Sequence, residues 1–159
     1  MKFEFSAGGI VYKKIKDPAS PAKRGEQKSK IKDKIFVLIC QHSQHHGWVF
    51  PKGLIGDNIK GENKEDTAIR EVKEETGIEA KIVEVLEPVT YWYVFKGQRI
   101  KKTVFYYIME FLKGDIKNHD WEMENVEWLE KEKVMDRLTY SSDKKVFEKA
   151  LPVIEKLAS

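Results

Sequence analysis

Between Gly56 and Ile78 the chain sets out a fixed spacing: Gly56, five residues, Glu62, seven residues, then Arg70-Glu71-Val72-Lys73-Glu74-Glu75-Thr76-Gly77-Ile78. That run constrains the fold more than any other, because it specifies both a helix and its ends. Asn63 can cap the helix, Asp66 follows in the favourable first turn, and Gly77 can adopt the left-handed conformation that stops it. Neither proline nor glycine interrupts Asn63 to Thr76. At 100 degrees per residue Ala68, Ile69 and Val72 share one side, the side expected to pack, while Glu71, Glu74 and Glu75 fall on the neighbouring side.

Three carboxylates on one helical edge repel one another, so a positive charge is needed to offset them. Arg70 can neutralise one, with Glu74 the expected partner. A hard divalent cation, Mg2+ or Mn2+, suits the rest: it takes oxygen ligands and keeps waters that phosphate oxygens can replace. A Glu-rich run is ordinarily a solvated face. Here the complete pattern argues for a metal edge and phosphate chemistry.

The pattern matches the Nudix box at each specified position, and the chain is identified as a member of the Nudix hydrolase family. Upstream, Trp48-Val49-Phe50-Pro51-Lys52-Gly53 resembles the Trp-x-x-Pro-Lys-Gly entry of many members, with Gly53 standing three residues ahead of Gly56. The resemblance implies an α/β fold, the Nudix α/β/α sandwich with a mixed sheet between helices, extending from Ser6 through Trp128. It also implies metal ligands at Glu71, Glu74 and Glu75, with a backbone carbonyl at Gly53 or Gly56, Gly53 being the first choice. Arg70 would orient a carboxylate and Glu62 would brace the loop. Some members recruit a later Glu, often six residues before a Trp, as ligand or general base. Glu122 stands six before Trp128, with Glu124 and Glu127 as competitors. Catalytic roles are thus expected for Glu71, Glu74, Arg70 and Glu122.

Length and composition agree with one Nudix domain over 1–159: 159 residues with 41% hydrophobic content can furnish a sizeable core. No run of eighteen apolar residues and no signal-peptide order appears, so a cytoplasmic protein with no membrane partner is expected. Cys40 is the lone cysteine, in an apolar run, and reads as core. A net charge of +3 is too small to imply nucleic-acid binding. Lys13 to Lys34, rich in Lys with Pro18 and Pro21, reads as a mobile basic loop between strands Phe3–Tyr12 and Ile35–Cys40. Gly8 and Gly9 mark a bend or a close backbone approach. Strands over Ile82–Phe95, interrupted at Pro88, and Arg99–Leu112 flank Lys96-Gly97-Gln98 as the hairpin turn. A short strand at Val126–Leu129 and a terminal helix at Asp143–Leu157 complete the order. His42, His45 and His46 lack an accompanying cysteine, and no zinc site is predicted.

The strand Tyr91-Trp92-Tyr93-Val94-Phe95 offers rings for a nucleobase, and Tyr91 and Tyr93 share a face. Arg99 and Lys101 share a face of the partner strand and are expected to meet a polyphosphate tail, with Lys52 and Tyr106 completing the substrate contacts. Together with Trp-x-x-Pro-Lys-Gly, this pairing resembles the bacterial diadenosine tetraphosphate hydrolase branch. The implied reaction is asymmetric cleavage to ATP and AMP on a small nucleotide substrate. Other pyrophosphate substrates (nucleoside triphosphates, ADP-ribose, an RNA 5' end) and a non-catalytic nucleotide-binding module are the competing readings. The oligomeric state is not specified.

Overall fold

The computed structural model describes residues 1–16, 33–56 and 59–159. Strand β1 (Lys2–Lys16) pairs in parallel with β7 (Gln98–Gly114) along Lys2 to Tyr12, and these two form the centre of a mixed sheet. The other strands add antiparallel: β2 (Asp33–His42) and β4 (Lys52–Leu54) on β1, β3 (Trp48–Val49) and β8 (Met123–Glu130) on β2. Along β7, β6 (Val89–Phe95) takes the first half and β5 (Ile78–Val85) the second. Helix α1 (Lys64–Thr76) covers one face. Helices α2 (Lys131–Arg137) and α3 (Ser141–Ala158) cover the other.

Alternation along the strands supplies both faces. Ala7 and Val11 of β1, Leu38 and Cys40 of β2 and Met109 of β7 pack with Ala68 and Val72 of α1. Their neighbours Ile10, Val37, Ile39 and Ile108 pack with Val146, Phe147 and Ile154 of α3. This is the expected sandwich of a mixed sheet between helices. Cys40 lies buried in the α1 side of the core. Among the described residues no helix is long and apolar enough to cross a membrane.

Helix α1 follows its sequence signals. Asn63 accepts a hydrogen bond from the Asp66 N–H at 2.8 Å, and Gly77 closes the helix at φ 79°. Gly8 and Gly9 serve close approach rather than a bend, since β1 runs straight through them. A Cβ at Gly8 would lie 2.3 Å from the Pro51 carbonyl oxygen, and one at Gly9 would lie 2.9 Å from a Val72 methyl.

Several expectations are corrected. Ile69 is exposed, because the packed stripe of α1 runs through Ala68 and Val72 with Glu71 and Glu75 beside them. The ends of the expected basic loop are strand: Ile15 pairs with Lys34, and the Lys14 Nζ meets the Asp33 carboxylate at 3.2 Å. The remainder, 17–32, lies outside the described residues. The short elements β3, β4 and α2 carry too few residues for a periodic signal.

Candidate active site

The acidic edge of α1 is organised by Arg70. Its guanidinium donates through Nε and Nη2 to the two Glu62 oxygens, each at 2.9 Å, and through Nη1 to Glu71 at 3.1 Å and Glu74 at 3.0 Å. Arg70 therefore serves three carboxylates, where the sequence reading assigned it Glu74 alone. The planar fork makes this possible, since its donors point in separate directions. Glu62 also accepts from the Thr67 hydroxyl at 2.7 Å, which ties the preceding loop to the helix. Hydrogen bonds from Arg70 hold Glu62 below the usual carboxylate range.

Strand β4 lies against the same edge. The Lys52 N–H donates to Glu75 at 3.0 Å, and Gly53 faces Glu71 so closely that a Cβ there would stand 2.0 Å from the carboxylate carbon. Gly56 has φ 76° and open space around it. Of the two box-glycine candidates, then, Gly53 accommodates the acid and Gly56 shapes the turn. Burial raises the Glu71 carboxyl to about 7, against the pull of Arg70 and helped by Glu74 and Glu122. Burial likewise drives Glu75 well upward, opposed by Lys52.

Two buried carboxyls that resist ionisation fit a hard cation, which would compensate the charge that burial disfavours. The missing side chain at Gly53 leaves the room that Glu71 occupies. Among the described residues no group of three His, Cys, Asp or Glu side chains is arranged to hold a metal ion without rearrangement. Mg2+ asks for less than such a group, since it is held by one or two carboxylates and keeps several waters.

Lys52 connects this edge to a cavity on the α3 side of the sheet. That cavity, about 600 Å³, is lined by Lys52, Tyr91, Tyr93, Lys102, Tyr106 and Tyr140, among others. A smaller one of about 230 Å³ adjoins it, shares Lys52, Lys102 and His45, and is lined by Glu75 and Glu122. The rival acids point elsewhere: Glu124 meets His46 at 2.6 Å and Glu127 meets Arg137 at 2.7 Å. Burial opposes the charge on Lys52, but Asp143, Tyr91 and Glu75 outweigh it and hold the ammonium above its ordinary value. Burial and the nearby Lys52 lower Lys102. Tyr106 donates to Asp143 at 3.3 Å, and the Tyr93 hydroxyl donates to Glu4.

Arg99 and Lys101 do not join Tyr91 and Tyr93. The hairpin turn is two residues long, Lys96 and Gly97, both at positive φ, so Phe95 pairs with Gln98 and Tyr91 with Lys102. Reading Lys96-Gly97-Gln98 as a three-residue turn slips the register by one, and a one-residue slip moves every side chain to the other face. Arg99 and Lys101 accordingly lie over Trp92 on the α1 side, at 4.4 Å and 5.5 Å from its ring centre. Lys102, the cation the sequence reading missed, could have been found by counting back from a two-residue turn. Asp143 and Tyr140 enter from the start of α3, a placement without a local signal.

A profile of the NUDIX domain matches residues 26–150. The chain belongs to the Nudix hydrolase family. Over 98% of its length it is 35% identical to a Mycobacterium tuberculosis protein bearing the name mutator protein MutT4, of which it covers 58%. It is 37% identical over 51% of its length to the asymmetrical bis(5'-nucleosyl)-tetraphosphatase of Rattus norvegicus, of which it covers 53%. The chain thus spans between half and three-fifths of these relatives. The crystal structure of a Caenorhabditis elegans Ap4A hydrolase binary complex aligns over 96% of this Nudix hydrolase and 98% of that chain, with a TM-score of 0.63 at 23% identity, a likeness of fold.

Proposed function

We propose that this Nudix hydrolase cleaves a dinucleoside polyphosphate asymmetrically, with diadenosine tetraphosphate giving ATP and AMP. One observation carries the reading: a tyrosine-lined cavity of about 600 Å³, large enough for a nucleoside, shares Lys52 and Lys102 with a pocket lined by Glu75 and Glu122. Aromatic walls suit a base, two ammoniums suit a phosphate chain, and the acidic end suits the scissile anhydride.

Mg2+ or Mn2+ held by Glu71, Glu74 and Glu75, with the Gly53 carbonyl, would neutralise phosphate charge and lower the pKa of a bound water. The chain's own residues do the rest. Arg70 fixes Glu71 and Glu74 against Glu62, Lys52 holds Glu75 through its N–H and the phosphates through its ammonium, and Glu122 accepts the proton of the attacking water. Tyr91, Tyr93 and Tyr106 hold the nucleoside, while Lys102 takes the phosphate-binding part expected of Lys101 and Arg99.

A second reading has its own support: a relative from Mycolicibacterium smegmatis, 32% identical over 70% of the chain, bears the name 8-oxo-(d)GTP phosphatase, which suits a nucleoside triphosphate substrate. Product analysis in 18O-labelled water separates the two. ATP plus AMP from diadenosine tetraphosphate, with label in one product, supports the proposal. Formation of two ADP, or turnover confined to nucleoside triphosphates with release of pyrophosphate, overturns it.

A further inference from the structure

On the α1 side, beyond the end of that helix, β1, β7 and β6 leave a bare sheet face. Phe3 and Phe5 are 57% and 51% exposed, Trp92 is 44% and Val94 70%. Register places them together: Phe3 stands beside Lys101 in the parallel pair, and Lys101 stands opposite Trp92 in the hairpin. Arg99 and Lys101 lean on the Trp92 ring, and neither has an ion-pair partner among the described residues. The remaining positions there are Thr90 and Thr103, their hydroxyls 3.3 Å apart. Glu4, the nearest acid in β1, points to the other face, where it accepts from Tyr93.

From this geometry we infer that the face binds single-stranded nucleic acid, with bases stacking on Phe3, Phe5 and Trp92 and the backbone running along Arg99 and Lys101. Exposed rings two residues apart on a strand stand about 7 Å apart, which lets splayed bases take one ring each. Arg99 and Lys101, without ion-pair partners among the described residues, supply the charge complement that such a chain needs. A second copy of this protein fits less well: among the described residues that the strand register places on this face none is a carboxylate, so a self-complementary contact would bring cations together without a partner. The modest net charge hides this patch because its cations are local. The inference does not rest on the hydrolytic assignment; Trp92 also borders the tyrosine-lined cavity, whereas Arg99 and Lys101 do not, so the charge variants report on this face alone.

The test is fluorescence anisotropy of a labelled single-stranded oligouridylate of about 15 nucleotides, and of a duplex of equal length, at low salt with the full chain. Single-strand binding that weakens at least about tenfold in Trp92→Ala, and again in Arg99→Glu/Lys101→Glu, is expected, since stacking contributes about 1–3 kcal/mol per base. The charge variants alter exposed side chains, and circular dichroism checks their fold. Undiminished binding in both variants, a preference for the duplex, or no single-strand binding, whether the protein is a monomer or light scattering shows a dimer dissociated by Trp92→Ala, would overturn it.

Discussion

Gly53 and Glu71 occupy one small space, and that contact sets the most local expectations. Gly53→Ala would force the Glu71 carboxylate aside, because its Cβ would fall 2.0 Å from the carboxyl carbon. A displacement of about 1 Å in a catalytic group can cost on the order of a hundredfold in rate. We expect a loss of that size in metal-dependent turnover with little change in circular dichroism. Glu75→Gln, which keeps the size and the Lys52 contact but removes the charge, should lower kcat by about a thousandfold in a Mg2+-saturated assay. Glu71 also makes a pH prediction. Its carboxyl, ordinarily at 4.5, stands near 7 in the metal-free fold because burial disfavours the charge. Between those values Glu71 holds a proton in the folded chain that it has lost in the unfolded one, so its contribution to stability falls as pH rises toward 7, and Glu75, shifted the same way, adds to the decline. Urea midpoints of the chelator-treated protein should decline across that window, with a shallower slope in Glu71→Gln. Addition of Mg2+ near pH 6 should release protons, measurable in a weakly buffered titration.

At the scale of elements, α1 was legible in the sequence because its signals are local: a capping Asn63, an acidic first turn and a glycine stop all act within a few residues. Asn63→Ala removes the bond to the Asp66 N–H. It should cost about 1 kcal/mol, read as a lowered urea midpoint at unchanged slope. The acids of the α1 edge were legible for the same reason, being fixed by spacing on one helix. The β6–β7 hairpin was legible as an element but not in register, since a two-residue and a three-residue turn differ by one position in a sequence such as Lys96-Gly97-Gln98. That single step decides whether Lys101 or Lys102 faces the tyrosines. Ile69 shows the limit of helical periodicity: an idealised angle puts it with Ala68 and Val72, while packing against β1 and β4 turns the buried stripe toward Glu71 and Glu75. Asp143 and Tyr140 could not be read at all, because they reach the cavity through the docking of α3, a long-range event.

For the whole molecule, the sheet separates the two halves of the proposed site. The acidic edge belongs to α1 on one face, and the tyrosine-lined cavity is walled by the start of α3 on the other. Strand β4 joins them, since Lys52 gives its N–H to Glu75 and its side chain to the cavity. Such a site works only if both faces are held in one cooperative structure. Phe147 tests this: it is fully buried in α3, with its ring 6.0 Å from that of Phe50, two residues before Lys52. Phe147→Ala should cost about 3–5 kcal/mol. If the faces fold as a unit, far-ultraviolet circular dichroism and tryptophan fluorescence, to which Trp128 contributes from the α1 side, should shift together to one lower urea midpoint. Mg2+ affinity at the opposite face should survive below that midpoint and vanish through it. Two separated transitions, with metal binding persisting after the first, would show that the α1 face stands without α3 and that the connection through β4 is not what assembles the site.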